Sequence, residues 1–232
     1  MKRNFYTIFT ISLLLCTTAC GTKNKQDNLN VTTTEYMSTV CTKDSVDEFI
    51  SVFGEGSGAS LLEGIVFDKD HCYNVTPTAV SAETDIKIFK YSNSGATFAL
   101  LDGEVFQICT YFGGYGFVNA VPWDYDEDGN LDLLIASSWG SGLHRSEISI
   151  FNTKTKQSIF LHDLPNTDLF VLATSPSFSS KELNDLPIYY EVYSVKIMMN
   201  DNNMADLACV ATDVVGSVVL ENGVPIFKPL GN

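Results

Sequence analysis

Four aspartates follow one another at short, regular intervals in the stretch DYDEDGNLD. Asp124, Asp126, Asp128 and Asp132 occupy its positions 1, 3, 5 and 9, and Gly129 occupies position 6. Two like charges about 4 Å apart repel by roughly 1 kcal/mol in water and about 4 kcal/mol near a protein surface. Because no run of basic residues adjoins the stretch, we expect a bound cation to balance these carboxylates.

The spacing of the carboxylates fits a hard divalent cation. Ca²⁺ takes six to eight oxygen ligands at about 2.3–2.6 Å, and alternate side chains point inward in a loop that curls around an ion. Gly129 supplies a permissive backbone for the bend. The predicted ligands are the side chains of Asp124, Asp126, Asp128 and Asp132 and the backbone carbonyl of Asn130. The alternative is a solvated acidic turn without an ion.

The residues that flank the loop separate two families in which such a loop occurs. An EF-hand has a glutamate at position 12 and a helix on each side, whereas position 12 here is Ile135 and both flanks, GFVNAV and LDLLIAS, are strand-like. The pattern D-x-D-x-D-G-x-x-D-L between two strands resembles the calcium loop of FG-GAP repeats, also called VCBS repeats, in integrin α-subunit β-propellers. The resemblance is specific for residues 117–161 and loose for residues 188–228. It implies propeller-blade sheets and Ca²⁺ bound at the five positions named above.

A second, weaker copy of the loop lies near the C-terminus. The segment ADLACVA aligns with LDLLIAS, which places Asn200, Asn202 and Asp206 under the last three aspartates of the first loop. Only one carboxylate remains among these three residues. We therefore expect a structural turn here, with weak metal binding as the alternative.

Three hairpin-like stretches indicate the fold class. TFALLDGEVFQI (97–108), ISIFNTKTKQSIFL (148–161) and SVVLENGVPIF (217–227) each read as a strand, a polar turn and a strand. The sequence predicts a mainly β protein with antiparallel sheets of propeller-blade type. About three such units fit into the chain, fewer than the usual four blades, so we expect a small or incomplete β-propeller.

One short helix is predicted before the β region. Ser45 and Glu48 form a capping box, and Gly54 is a plausible stop, so the helix should cover residues 46–53.

The first residues are typical of a leader. Lys2 and Arg3 precede an apolar run that ends in TTAC at Cys20. This arrangement resembles the lipobox of bacterial lipoproteins, which implies cleavage before Cys20 and acylation of its thiol. The predicted organisation is a signal peptide over 1–19, a flexible tether over 20–40 and a β-rich repeat domain over 41–232. The alternative is ordinary signal cleavage near Ala19, which would release a secreted protein.

The net charge limits the classes of partner that the protein can bind, and the cysteines bear on the compartment in which it folds. The chain has a formal net charge of −14, which disfavours nucleic acid and anionic membrane surfaces as partners. Membrane attachment is therefore expected through the acyl group, on a protein of the cell envelope that faces outside the cytoplasm. Cys41, Cys72, Cys109 and Cys209 could form two disulfides in any of three pairings, or remain as free buried thiols.

His144 and Arg145 follow a glycine-containing turn and mark a candidate ligand rim. A histidine there can act as a general acid or base and an arginine as an anion clamp. The simpler interpretation is an exposed hairpin loop. Nearby aromatic residues can stack sugars, although they are more typical of a sheet core.

The sequence leaves three functional hypotheses. The first is a non-enzymatic, lipid-anchored, calcium-binding module with a protein or glycan ligand. The second is an envelope enzyme that acts on polysaccharide, with a cleft near His144 and Arg145. The third is a calcium-stapled structural lipoprotein without a separate ligand. The sequence contains none of the short catalytic motifs of metalloproteases, serine hydrolases or P-loop enzymes.

Overall fold

The acidic loop joins two strands in the middle of the structure, which is a computed structural model. It describes residues 35–37, 41–55, 69–109, 112–162, 164, 169–174, 189–200 and 203–230. All of these residues belong to one compact unit, Thr33–Asn232. The predicted signal peptide and Cys20 lie outside the described residues.

The described residues are mainly β, as predicted, with thirteen strands and two helices. The strands are β1 (Glu35–Met37), β2 (Cys72–Asn74), β3 (Lys87–Tyr91), β4 (Thr97–Leu101), β5 (Glu104–Gln107), β6 (Gly116–Trp123), β7 (Asp132–Trp139), β8 (Arg145–Asn152), β9 (Gln157–Phe160), β10 (Leu169–Thr174), β11 (Tyr189–Asn200), β12 (Asn203–Glu221) and β13 (Val224–Pro229). The helices are α1 (Val46–Glu55) and α2 (Thr78–Glu83).

The strands form three antiparallel sheets. Strands β2, β3, β4 and β5 form the first sheet in chain order, and strands β6, β7, β8 and β9 form the central sheet in the same way. In the third sheet β10, β11 and β12 follow in chain order, and both β13 and β1 pair with β12. Strand β1 falls within the predicted tether and pairs with β12. The three described sheets remain separate, and their strands do not close into a ring.

The central sheet is buried on both faces. Side chains alternate along β7, so Leu133 and Ile135 pack toward the first sheet whereas Leu134 and Ala136 pack toward the third. The core between the first and central sheets includes Ile88, Ala99, Ile108, Phe117, Ala120 and Phe151. The core between the central and third sheets includes Val118, Ile148, Ile150, Leu172, Val192 and Val218. A strand buried on both faces is typically an unbroken apolar run, and residues 133–136, LLIA, form such a run.

The predicted hairpin turns are confirmed. Asp102 and Gly103 have φ of 55° and 74°, and Asn222 and Gly223 have φ of 54° and 76°. Positive φ at both central residues is typical of type I′ turns, whose twist matches that of the paired strands. The turn between β8 and β9 is longer and lacks glycine, as predicted from the sequence.

Helix α1 covers the outer face of the first sheet. It begins at Val46 as predicted, but it continues through Gly54 to Glu55, so it ends two residues later than predicted. Phe49 lies at its centre, and its ring stacks on Phe89 with ring centroids 4.5 Å apart. The contact explains why α1 is stable although it is short, since most helical stability in proteins comes from packing of the apolar face. Helix α2 was not predicted; it follows Pro77, whose φ of −61° suits a helix start.

Of the described cysteines whose burial is known, two are buried and one is half-buried. Cys109 is a free thiol in the core between the first and central sheets, and burial raises its pKa to about 12. Cys72 is buried beneath α1, and Cys41 is half-buried. The buried, protonated Cys109 fits the alternative of inert thiols at this position.

Helices long and apolar enough to cross a membrane are lacking in the part of the chain that the structure describes.

Replacing Phe49 with alanine should strongly destabilise the protein. The side chain is fully buried and contacts several rings, and such a truncation typically costs about 3–5 kcal/mol. Urea unfolding should show a lower midpoint with an unchanged slope. The control is Glu48→Ala on the exposed face of α1, which removes a surface ion pair with Lys87 and should shift the midpoint far less. Equal shifts for both variants would contradict the packing role of α1.

Candidate metal centre

The acidic loop is organised by hydrogen bonds from its own backbone. Asp124 Oδ1 accepts from the backbone N–H of Asp128, and Asp124 Oδ2 accepts from that of Gly129, each at 3.0 Å. Gly129 has φ of 86°, in the left-handed region that glycine adopts without strain. The predicted bend at Gly129 is therefore confirmed. The first aspartate holds the loop closed between β6 and β7.

Three of the predicted carboxylates converge. One oxygen from each of Asp124, Asp126 and Asp128 lies within 4.8 Å of the others. Oxygens on opposite sides of a calcium ion are about 4.6–5.2 Å apart, twice the bond length. The spacing and the all-oxygen donor set therefore fit a hard divalent cation such as Ca²⁺.

A lysine also reaches this cluster. Lys154 lies in the turn between β8 and β9, and its Nζ is 3.1 Å from Asp128 Oδ2. The pKa of the Asp128 carboxyl is held below its ordinary value, first by the N–H of Asn130 and then by Lys154. The sequence analysis considered only the residues that adjoin the loop, and Lys154 approaches it from a turn that comes near only in the folded chain. Lys154 is mostly exposed, and exposed ion pairs contribute little, so it balances only part of the loop charge.

The fourth aspartate occupies a different environment. Asp132 begins β7 with only 1% of its surface exposed. Its Oδ1 accepts from the N–H of Thr153 at 2.8 Å and from the hydroxyl of Thr153 at 3.2 Å. The amide of Asn152 donates to Asp126 Oδ2 at 3.1 Å and approaches Asp132 Oδ2 at 3.5 Å. Asp132 is thus linked to the convergent group through Asn152 and anchors the β8–β9 turn.

Asn130, the fifth predicted ligand, orients the neighbouring carboxylate. Its backbone N–H and its side-chain amide both donate to Asp128 Oδ1, at 2.8 Å and 2.9 Å. These bonds hold Asp128 so that its other oxygen faces Lys154. The arrangement supplies negative charge at a fixed place, which is what a cation site requires.

Sequence reasoning missed the contribution of the β8–β9 turn. Asn152, Thr153 and Lys154 all contact the loop or Asp132 although they lie more than 20 residues downstream. The available signal was the predicted hairpin 148–161 with its polar turn NTKTKQ. Antiparallel pairing of β7 with β8 places Leu133 opposite Phe151, which brings the following turn beside the start of β7.

The second predicted loop falls between β11 and β12. Asn200 is the last residue of β11 and pairs with Asn203, the first residue of β12. Asp206 lies within β12, and Asn202 lies outside the described residues. The weak second metal loop remains a prediction.

His144 and Arg145 lie at the other end of the central sheet. Strand β7 begins at Asp132 beside the acidic loop and ends at Trp139, which pairs with Arg145. Eight residues of strand span about 23 Å. The aromatic residues divide in the same way, with Trp123 and Tyr125 beside the loop and Trp139 beside Arg145. The predicted rim is therefore not part of the metal centre.

His144 contacts an aromatic ring instead of an acid. Its imidazole meets Tyr115 edge-on, with ring centroids 4.6 Å apart. Within the described ranges no carboxylate lies within ion-pair distance of His144. A histidine that acts as a general base usually needs such an orienting group.

An open cleft adjoins the acidic loop on the side of the first sheet. Its volume is about 590 Å³, and its lining includes Gly129, Asn130, Lys154 and Asp102. Lys156 on its wall pairs with Asp102 at 2.9 Å. Both acidic and basic side chains line the cleft. This mixture does not indicate a particular ligand.

Comparison of the chain with protein-family models, curated proteins and solved structures gives no significant match. The resemblance to FG-GAP or VCBS repeats therefore stays a prediction that rests on the loop residues.

The buried Asp132 should make stability depend on pH in metal-free buffer. Burial raises its pKa from 3.8 to about 6, against the lowering effect of the bonds from Thr153. The folded state then holds this proton more tightly than the unfolded chain, so the contribution to the free energy of unfolding is largest below pH 4 and is lost as pH rises to about 6.

The check is a series of urea titrations of the wild type and Asp132→Asn across this pH range. The stability difference between them, wild type minus variant, should fall as pH rises from about 4 to about 6. Parallel pH profiles for the two proteins would contradict the raised pKa.

Proposed function

We propose that this protein is a lipid-anchored, extracytoplasmic calcium-binding module of FG-GAP/VCBS type that serves as a binding or structural element at the cell surface. The observation that carries the proposal is the convergence of Asp124, Asp126 and Asp128 within 4.8 Å at a turn between two central strands. A bound Ca²⁺ would supply positive charge and directional oxygen coordination at this point. The three aspartates would hold it, and Asn130 would keep Asp128 oriented.

The function of such an ion would be to stabilise the loop against the repulsion of its own carboxylates. Asp124 already closes the turn through two backbone bonds, and Asn152 connects Asp126 with the buried Asp132. Neutralising the convergent oxygens would therefore stabilise the junction of β6, β7 and the β8–β9 turn together. The ion acts in this proposal as a structural staple.

The arrangement of the strands supports blades of propeller type. A propeller blade is a four-stranded antiparallel sheet in which consecutive strands are neighbours. The first and central sheets have this order, and the path from β10 to β13 in the third sheet has it as well. Three such units are fewer than the usual four, so the proposal is a small or incomplete propeller.

The proposed location rests on the leader. An apolar run of signal-peptide length ends at Cys20, and the remaining chain is strongly acidic. The acyl group at Cys20 would hold the protein at a membrane, and the partner would be a protein or a glycan. The alternative of a polysaccharide enzyme needs His144 beside a carboxylate, and no observation on the described residues favours it.

Calcium should raise the thermal stability of the protein, and Asp126→Asn and Asp128→Asn should abolish this effect. A ligand at a hundredfold excess over its Kd stabilises the native state by about 2.7 kcal/mol. For a chain of this size each 1 kcal/mol raises Tm by about 2–4 °C. Differential scanning calorimetry with Ca²⁺ and with chelator measures the shift.

Two further variants distinguish a metal site from an acidic turn whose charge is balanced by Lys154 alone. Glu127→Gln removes an acid from the same loop but outside the convergent group, and it should keep the calcium response. Lys154→Met removes the competing cation at Asp128, so it should lower Tm in chelator and tighten calcium binding several-fold. The calcium proposal fails if Ca²⁺ leaves Tm unchanged in both the wild type and Lys154→Met.

Acylation at Cys20 should determine membrane association. In a bacterial host the full chain should fractionate with membranes and incorporate labelled fatty acid, and Cys20→Ala should do neither. The neighbouring Cys16→Ala, which leaves the proposed acylation site intact, is the matched control. Membrane association that persists in Cys20→Ala would rule out the lipid anchor.

A further inference from the structure

A small apolar patch lies at the end of the central sheet that is remote from the acidic loop. It consists of Phe112, Trp139, Leu143 and Arg145, which line an open depression of about 410 Å³. We call these four residues the arginine–aromatic patch. None of them takes part in the proposed calcium site.

The backbone beneath the patch is fixed by close contact between two glycine turns. Gly113 pairs with Gly140, and the N–H of Gly140 donates to the carbonyl of Phe112 at 2.8 Å. A Cβ atom on Gly113 would lie only 2.5 Å from the carbonyl oxygen of Gly140. The two turns therefore need glycine to approach each other, and together they hold Phe112 and Leu143 in place.

The two apolar side chains of the patch are unusually exposed. Phe112 has 67% of its surface exposed and Leu143 has 78%, the two highest values among the exposed large hydrophobic residues of the described chain. Single exposed apolar residues are common, whereas neighbouring ones that line one depression are typical of interaction sites. Because the glycine turns fix the backbone, the exposure belongs to the folded state.

Arg145 adds a positive charge to the patch. It is the only arginine after Arg3 in a chain of net charge −14. Its guanidinium lies 5.4 Å from the ring centre of Trp139, and none of the described carboxylates forms an ion pair with it. A guanidinium laid on an aromatic face keeps its planar fork of donors for a carboxylate.

We propose that the arginine–aromatic patch is a docking site for a polypeptide that places an apolar side chain in the depression and a carboxylate on Arg145. Tryptophan and arginine are enriched among the residues that dominate protein–protein binding energy. A sugar ligand would need several polar side chains, whereas Ser141 is the one hydroxyl among the lining residues. The inference rests on the proposed binding role, for which it names the partner class, but it uses no residue of the acidic loop.

The two tryptophans of the chain provide separate reporters for the two ends of the central sheet. Trp139 belongs to the patch, and Trp123 packs against Tyr125 of the acidic loop with ring centroids 6.2 Å apart. The ¹⁵N-labelled full chain is titrated with acetylated hexapeptides that carry one Phe or Leu and one Glu. The indole N–H signal of Trp139 should shift and saturate, while that of Trp123 should stay in place. Peptides with Gln in place of Glu should bind about tenfold more weakly, since they lose the charge-assisted bond.

Surface variants test each part of the patch. Arg145→Ala and Phe112→Ser should each weaken peptide binding about tenfold, and Arg145→Lys should give an intermediate loss because it keeps the charge without the fork. The matched controls are Lys69→Ala and Ile159→Ser, which alter an exposed cation and an exposed apolar residue elsewhere. Both controls should bind the peptides as the wild type does.

Three results would overturn the inference. They are an unmoved Trp139 signal with every peptide, equal binding of the Glu and Gln peptides, or a Trp139 shift caused by oligogalacturonate but by none of the peptides. The last result would make the patch a site for acidic sugars.

The same spectra distinguish this inference from the calcium proposal. Calcium should move Trp123, and peptides should move Trp139 even in metal-free buffer. If peptides move Trp139 but calcium does not move Trp123, only the calcium proposal is overturned. If calcium moves Trp123 but no peptide moves Trp139, only the patch proposal is overturned.

Discussion

The central sheet is buried on both faces, and its position between two cores organises the other elements. Strands β6 to β9 separate two cores, one shared with the first sheet and one with the third. Because side chains alternate along a strand, a slip of one residue would exchange the contents of the two cores. The register of β7 is therefore strongly specified, and it fixes both ends of the sheet, the acidic loop at one and the arginine–aromatic patch at the other.

Polar contacts between the sheets reinforce this register. The buried Lys90 of the first sheet donates to the carbonyl of Phe117 in β6 at 2.9 Å, and Asn119 of β6 donates to the carbonyl of Leu172 in the third sheet at 3.2 Å. Burying a lysine or an amide is costly unless it is hydrogen-bonded. These bonds are satisfied only in one alignment of the three sheets, so they select that alignment as well as stabilise it.

The acidic loop combines two ways of balancing charge. Backbone N–H groups of the loop donate to Asp124, the N–H of Asn130 and Lys154 lower the pKa of Asp128, and Lys154 supplies one positive charge from the neighbouring turn. Asp132 differs from Asp128, because burial raises its pKa to about 6. A divalent cation at the three converging carboxylates would add positive charge at the point where their oxygens come within 4.8 Å of one another.

The β8–β9 turn couples the stability of the acidic loop to that of the β8–β9 hairpin. Thr153 and Asn152 bind the carboxylate that begins β7, so loosening the loop would also release the turn. Small changes in the charge of the loop are therefore expected to affect the stability of the central sheet as a whole. The patch at the far end depends instead on backbone contact between Gly113 and Gly140, which carries no charge.

Features that arise from neighbouring residues could be predicted from the amino-acid sequence. The bend at Gly129, the turns at Asp102–Gly103 and Asn222–Gly223 and the start of α1 at Val46 agree with the predictions, because local backbone preferences and bonds within a few residues decide them. The β class followed from the hairpin pattern for the same reason. The extent of α1 beyond Gly54 was missed because packing of Phe49 on the first sheet outweighs the local weakness of glycine.

Contacts between residues that are distant in the sequence could be read only from the folded chain. Lys154 at Asp128, Asn152 between Asp126 and Asp132, and the separation of Arg145 from the loop all follow from the pairing of β7 with β8. The register of that pairing depends on burial of both faces of the central sheet, which requires the first and third sheets to pack against it. The sequence analysis left open where His144 and Arg145 lie relative to the loop, and a strand that extends about 3.3 Å per residue places them at the opposite end of the sheet.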